Sequence, residues 1–311
     1  MKKREREAKD PGETPDPDLP DIDRQIRRAV FRGILRTSGN VFLLLILAGF
    51  VVQLVGGAVW AIGGRSGHYS DLITTAVTVA HPEYDLWGGG CCGTKLSGLT
   101  IGPLELIRLS PDPVDANVEI APHLNWAEHL DWRSVDLPQT ALGVAIQGPV
   151  PKPAAALARL DRLPDNLRVS AVVFFAQPMS QEELEPALRP FLRGVPASFL
   201  PLLFDVPHPA GGRLVRIGWA RDESGVGGFR TWAAGLSGRD DDILGQFGLP
   251  SSDVLKQMAA DGRISGVVLN DASVALLRKL ANDPLVLAVQ PAEAVFDLGL
   301  PYVGNSLPCC R

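Results

Sequence analysis

No charged side chain occurs between Thr37 and Gly64 of this 311-residue chain, and within that stretch Val41–Ile62 reads VFLLLILAGFVVQLVGGAVWAI, with Gln53 its only strongly polar residue. A buried helix of a soluble core seldom lacks charge on every face. At 1.5 Å per residue, about 22 residues span about 33 Å, the thickness of a bilayer's hydrocarbon core. A cleavable signal peptide does not fit, because its apolar region is about 7–15 residues long and starts within the first few positions. The run is therefore expected to be a retained anchor in the lipid bilayer. Basic residues are nearly missing after it: Arg65 alone follows nearby, against Lys2, Lys3, Arg4, Arg6, Lys9, Arg24, Arg27, Arg28, Arg32 and Arg36 before it. That asymmetry predicts a cytoplasmic N-terminus and an extracytoplasmic C-terminal part.

Other absences narrow the function. The formal net charge is −5, resolving into +2 over residues 1–40 and −7 over the remainder. No basic face remains for nucleic acid, and direct nucleic-acid binding is not expected. The chain has no Gly-x-Ser-x-Gly elbow, P-loop, HExxH or EF-hand pattern, so neither an enzyme nor a cofactor site is expected. His123 and His129, with Glu128 and Asp131, form the densest polar group. Their spacing does not align two ligands on one helix face, and no metal site is expected. The run Asp240-Asp241-Asp242 reads as a solvated loop or a helix N-terminus, and Gly225–Gly228 as a flexible turn.

Cysteine is scarce, with four residues in all: Cys91, Cys92, Cys309 and Cys310 lie on the expected outer side and none lies before the anchor. An even count in an oxidising compartment favours disulfides. Joining Cys91/Cys92 to Cys309/Cys310 would close a loop worth about 5 kcal/mol before strain. Free or lipid-modified thiols and a zinc site are the alternatives.

Along the chain, residues 1–20 combine charge and proline without an aromatic residue, the composition of a disordered cytoplasmic tail. Over 21–40 an amphipathic helix is expected, capped by Asp21 or Asp23, with Ile26, Val30, Ile34 and Leu35 at helical spacing and arginines opposite. Such a helix binds a protein groove or lies along the bilayer surface. It leads into the transmembrane helix at 41–62.

Residues 66–150 read as a β-rich outer region, with strands at Asp71–Ala80, Leu104–Leu109 and Leu142–Gln147 and a glycine-rich loop over Trp87–Gly98. Residues 155–298 alternate strand and helix: a strand at Val169–Phe175, a helix from Ser180 with a Ser180/Glu183 capping box, and strands near Ser198–Asp205 and Leu214–Ala220. A helix at Ser251–Ala260, a strand at Arg263–Leu269, a helix at Asp271–Ala281 capped by Asp271 and a strand at Val286–Phe296 complete it. Residues 299–311 form a cysteine-containing tail. The fold class expected is α+β: one N-terminal transmembrane helix, then an extracytoplasmic α+β domain of split βαβ (ferredoxin-like) order, with helices on one face of a largely antiparallel sheet.

Four segments carry a family likeness: RGILRTSGNVFLLLILAGF, ITTAVTVAHPEYDL, LDRLPDNLRVSAVVFFAQPMSQEELEPALRPF and ISGVVLNDASVALLRKLANDPLVLAVQPAEAVFDL. In order and spacing around one membrane span, the chain resembles the sigma factor regulator family, membrane-anchored anti-sigma factors of Bacillus-type Gram-positive bacteria. The resemblance covers about residues 21–82 and 155–298. It implies a cytoplasmic segment that restrains an extracytoplasmic-function sigma factor and an outer domain that reports on the cell envelope. The partner-binding residues it implies are Ile26, Val30, Ile34 and Leu35. The cytoplasmic segment is short for such a protein, and no His-x3-Cys-x2-Cys zinc motif precedes residue 41. Stable interfaces bury roughly 800 Å² per partner, so a small membrane co-regulator is expected to supply further contact. A membrane-anchored ectodomain that binds a wall component or other ligand, without a sigma factor, is the alternative function.

Overall fold

The computed structural model describes residues 19–61, 64–88, 92–95, 98–110, 117–125, 127–131, 137–191, 200–207, 214–220 and 225–297. The chain divides into two compact units, Met1–Gly56 and Gly57–Arg311. The first is the bulk of α1 (Leu19–Ala61), a single helix of 43 residues. The amphipathic segment and the apolar run are thus continuous, as expected. The helix begins at Leu19, which places Asp21 and Asp23 inside its first turns rather than at the cap. Within α1, Arg24–Val55 is long and apolar enough to cross a membrane, with a mean hydropathy of 2.2 and 0% of the window buried by protein.

The second unit opens with α2 (Arg65–Ala80), where alternating β-branched residues predicted a strand over Asp71–Ala80. Every residue from Leu72 to Val79 is buried. A segment without charge, whose only polar groups are threonine hydroxyls, suits a helix enclosed by core. Its β-branched side chains cost only tenths of a kcal/mol each in helix propensity, less than their burial returns. Thr78 settles its hydroxyl on the carbonyl of Thr75 at 3.0 Å.

Six short strands follow: β1 (Tyr84–Gly88), β2 (Cys92–Lys95), β3 (Gly98–Ile101), β4 (Leu104–Arg108), β5 (Asn117–Ile120) and β6 (His123–Asn125). They form two antiparallel sheets of order β1-β4-β5 and β2-β3-β6. The glycine-rich stretch read as a loop therefore contributes β1 and β2. At Gly98 the backbone has φ +144°, and a Cβ there would stand 1.9 Å from the Leu124 carbonyl oxygen, so only glycine permits this pairing of β3 with β6. Leu142–Gln147 belongs to α3 (Ala141–Gln147), not a strand, because Thr140 caps it by accepting from the Gly143 N–H at 2.8 Å. The region expected to be β-rich is thus bracketed by two helices.

The C-terminal part comprises α4 (Pro153–Asp161), β7 (Leu167–Met179), α5 (Gln181–Leu188), β8 (Leu202–Pro207), β9 (Leu214–Trp219), α6 (Val226–Gly235), α7 (Asp241–Gln246), α8 (Ser252–Asp261), β10 (Ile264–Ser273), α9 (Val274–Ala281) and β11 (Val286–Phe296). Its strands form one antiparallel sheet of order β11-β7-β10-β8-β9. Two strand–helix–strand units, β7-α5-β8 and β10-α9-β11, interleave in it, with β9 and α6–α8 inserted between them.

Side chains alternate across a strand, and both faces of this sheet are covered. Val169, Ala171, Val173 and Phe175 of β7 join the main core with Leu184 of α5 and Leu277 of α9. Val172 and Phe174 point the other way, into a second core with Leu142 and Ile146 of α3 and Ala156 of α4. The expectation of helices on one face is corrected by α3 and α4. This is also why β7 is buried without interruption from Val169 to Phe175.

The capping box of α5 forms as expected: Glu183 N–H donates to Ser180 Oγ, and Ser180 N–H to Glu183 Oε2 at 2.7 Å. Those bonds hold the exposed Glu183 carboxyl below the usual glutamate pKa. Its contribution is present above the unfolded-state pKa and is lost as pH falls through the folded-state one. Ser180→Ala is expected to lower stability by about 1 kcal/mol in thermal unfolding. In α9 the cap is Ser273, which accepts from Leu276 N–H, and not Asp271. Asp271 lies in β10 at φ +55°. Gly225, at φ +54°, is the N-cap position of α6, so the glycine run starts a helix rather than forming a free turn.

Candidate functional site

The four predicted partner residues lie on α1 and are open to solvent: Ile26 is 55% exposed, Val30 55%, Ile34 59% and Leu35 63%. Phe31, 65% exposed, widens this apolar surface, a residue the sequence reading passed over. Ile26, Val30 and Ile34 recur every four residues, and Leu35 follows the same stripe. Of the cysteines, Cys91, Cys309 and Cys310 lie outside the described residues, and only the backbone of Cys92, in β2, is described.

In the second unit, polar chemistry gathers at the two ends of α2. At its start, a pocket of about 540 Å³ is lined by Arg65, His68, Tyr69, Glu128, Ser237 and Asp240, with Arg239 beside them. Asp240 is 1% exposed. Its Oδ2 accepts from Ser237 N–H at 2.7 Å and from the Ser237 hydroxyl at 3.0 Å, while Oδ1 lies 2.8 Å from His68 Nε2. The Ser237 hydroxyl donates to the carboxylate rather than to the histidine, so the three do not form a nucleophile–base relay. The arrangement fastens α2 to the turn before α7. Arg65 lies 4.0 Å from Glu128. Burial first, and then the bond to Glu128, push the Tyr69 hydroxyl above the ordinary tyrosine range.

The acidic run thus begins α7, as one of its two readings had it. Its first member is buried rather than solvated. Nothing in the spacing of His68 and Asp240 signalled the pair, because contacts across 172 residues leave no local pattern. Of the group His123, Glu128, His129 and Asp131, Glu128 turns toward Arg65 and Tyr69, and Thr100 Oγ1 lies 3.0 Å from His123 Nδ1. Among the described residues no cluster of three His, Cys, Asp or Glu side chains is placed to hold a metal. Trp219 and Trp232 lie in the core, while Trp126 and Trp132 are outside the described residues.

At the other end of α2 a cleft of about 440 Å³ runs between Ala80 and His81, the start of α3, the middle of β9 and the Phe247-Gly248-Leu249 turn. Glu83 lines it with a side chain only 8% exposed, its Oε1 3.3 Å from His81 Nδ1. The backbone of α3 comes close because position 143 is glycine: a Cβ there would stand 2.6 Å from Glu83 Oε1. One wall is built by Gln147, whose Nε2 donates to the Arg216 carbonyl at 2.6 Å while its Oε1 accepts from Arg216 N–H at 3.3 Å. Sequence reading did not single out Glu83, since one carboxylate after a helix carries no motif. No family model, curated protein or solved structure matches the chain.

Proposed function

We propose that the chain is a single-pass membrane regulator of the anti-sigma type, with the N-terminal segment in the cytoplasm and the α+β domain outside. In this reading Ile26, Val30, Ile34 and Leu35 restrain an extracytoplasmic-function sigma factor, helped by a small membrane co-regulator, and the outer domain modulates that grip. The observation that carries it is the continuity of α1: the exposed amphipathic face and the apolar span are one helix, Leu19–Ala61. A displacement of the span therefore moves the face with it. The excess of basic residues before the span supports the orientation. Beyond it, α2 is the first helix of the proposed outer domain, with Leu72–Val79 buried in that domain's core. The strand order, counted over β7, β8, β10 and β11 as 4-1-3-2, supports a split βαβ (ferredoxin-like) domain with β9 added at the edge. Disulfides between Cys91/Cys92 and Cys309/Cys310 belong to the same outward placement.

Co-purification of the full-length protein with the sigma factor encoded beside its gene tests the grip. The triple variant Ile26→Ala, Val30→Ala, Ile34→Ala is expected to recover at least about tenfold less sigma factor, since truncated anchors at a small interface each cost about 1 kcal/mol or more. Equal recovery would sink the contact. The cleft beside Glu83 favours a second reading, an anchored ligand-binding ectodomain without a sigma factor. Deletion of the gene separates the two: induction of one compact regulon belongs to the first reading alone.

A further inference from the structure

We infer that the cleft at the end of α2 binds a small organic cation, an ammonium group on an apolar carbon frame, with Glu83 as its counter-ion. A carboxylate 8% exposed has lost most of its water, and a buried charge is costly unless paired and hydrogen-bonded. Its side-chain neighbour is His81, at 3.3 Å. A charge-assisted bond is shorter, about 2.7–2.9 Å, so His81 leaves the carboxylate weakly compensated.

The cations nearby are committed elsewhere. Arg216 turns its guanidinium to Asp205 and donates Nη1–H bonds to the carbonyls of Ile146 and Gly148. Arg108 is paired with Glu293. Of the two charged residues that line the cleft, Arg216 is thus paired with Asp205, while Glu83 has only His81 beside it. Its walls from Leu137, Ile217, Phe247 and Leu249 are apolar. A volume of about 440 Å³ lies within the range of small-molecule sites, about 300–1,000 Å³. A cationic head at Glu83 with a hydrocarbon or aromatic body along those walls satisfies both features. A neutral ligand leaves the carboxylate with His81 alone, and an anion is repelled by it. The ligand lies against Ala80 and His81, the C-terminal end of the helix whose other end is fastened by His68 and Asp240, so occupancy bears on α2 directly.

The test uses the full-length protein in lipid nanodiscs and three probes of one shape: 2-phenylethylamine as its ammonium, 2-phenylethanol and 3-phenylpropionate, titrated by calorimetry against empty nanodiscs. The ammonium is expected to bind saturably, the alcohol at least tenfold more weakly and the carboxylate not at all. Glu83→Gln is expected to weaken the ammonium at least tenfold and to leave the alcohol unchanged. Equal affinity of ammonium and alcohol, an ammonium affinity unchanged in Glu83→Gln, or no saturable binding overturns the assignment. If Glu83→Gln fails to fold, the comparison of the three probes on the wild-type protein decides. Binding is measured on this protein alone, so its failure leaves the proposed sigma-factor contact untouched, and the reverse also holds.

Discussion

Phe229→Ala is expected to destabilise the α+β domain by about 4 kcal/mol, the scale of a phenylalanine truncated inside a packed core. Phe229 is 0% exposed, and its ring lies 5.0 Å from Phe204, 5.4 Å from Trp219 and 6.1 Å from Trp232. The ring comes from α6, while Phe204 and Trp219 come from the neighbouring strands β8 and β9. The cluster is therefore what attaches the inserted helices to the edge of the sheet. Truncation removes the transfer free energy of the ring and leaves a cavity walled by rigid aromatics, which relax poorly into it. For a domain of this size, roughly 2–4 °C of melting temperature per kcal/mol makes the shift about 10 °C, read by near-ultraviolet circular dichroism. Phe229→Leu, which keeps most of the volume, is expected to lose less than about 2 kcal/mol. Similar losses for both variants would contradict the packing described.

Arg216→Met is the second large effect, about 3 kcal/mol, because it removes a charged donor from buried acceptors. Arg216 is 8% exposed in β9. Its Nη1 donates to Ile146 O at 2.8 Å and Gly148 O at 2.7 Å, its Nε lies 2.9 Å from Asp205 Oδ1, and its Cζ sits 4.7 Å above the Phe174 ring. Methionine replaces the stem and part of the ring contact and leaves those two carbonyls without this donor. Asp205 is about one-third exposed, so water recovers part of its loss, which keeps the figure below that of a fully buried pair. Arg216→Lys is expected to be nearly as damaging, since one ammonium cannot reproduce a planar fork that meets two carbonyls and a carboxylate at once. Chemical denaturation with the full-length protein in detergent checks both variants. A lysine variant as stable as the wild type would show that charge alone matters there.

Much of the C-terminal fold was legible because its cues are local. The run Val169–Phe175 marks a strand by its β-branched and aromatic content, Ser180 and Glu183 announce a helix start, and the final strand was placed at Val286–Phe296 with the bounds it has. The same run also signals a sheet covered on both faces, since an apolar strand without alternation belongs to one, and α3 and α4 supply the second cover. At α2 the local cue misleads. Thr, Val and Ile favour strands when half buried, and nothing within Asp71–Ala80 reveals that core surrounds Leu72–Val79. The charge-free run showed α1 at once, since a pattern that long needs no tertiary context. The candidate sites were hidden for the opposite reason. Glu83 owes its position to Gly143 and to the wall held by Gln147 and Arg216, and Asp240 to His68, partners that only the folded chain assembles.

The strand order has a further consequence, one of timing. β7 lies inside its sheet, yet its two neighbours are β10 and β11, the last strands among the described residues: Val173 pairs with Val267 on one side and Val289 on the other. A chain that emerges N-terminus first therefore carries its most apolar strand unpaired until nearly the whole domain has been synthesised. Non-local pairing of this kind slows folding and prolongs exposure of aggregation-prone surface. Until β11 arrives this sheet cannot close around β7, so the domain reaches its folded state late in synthesis.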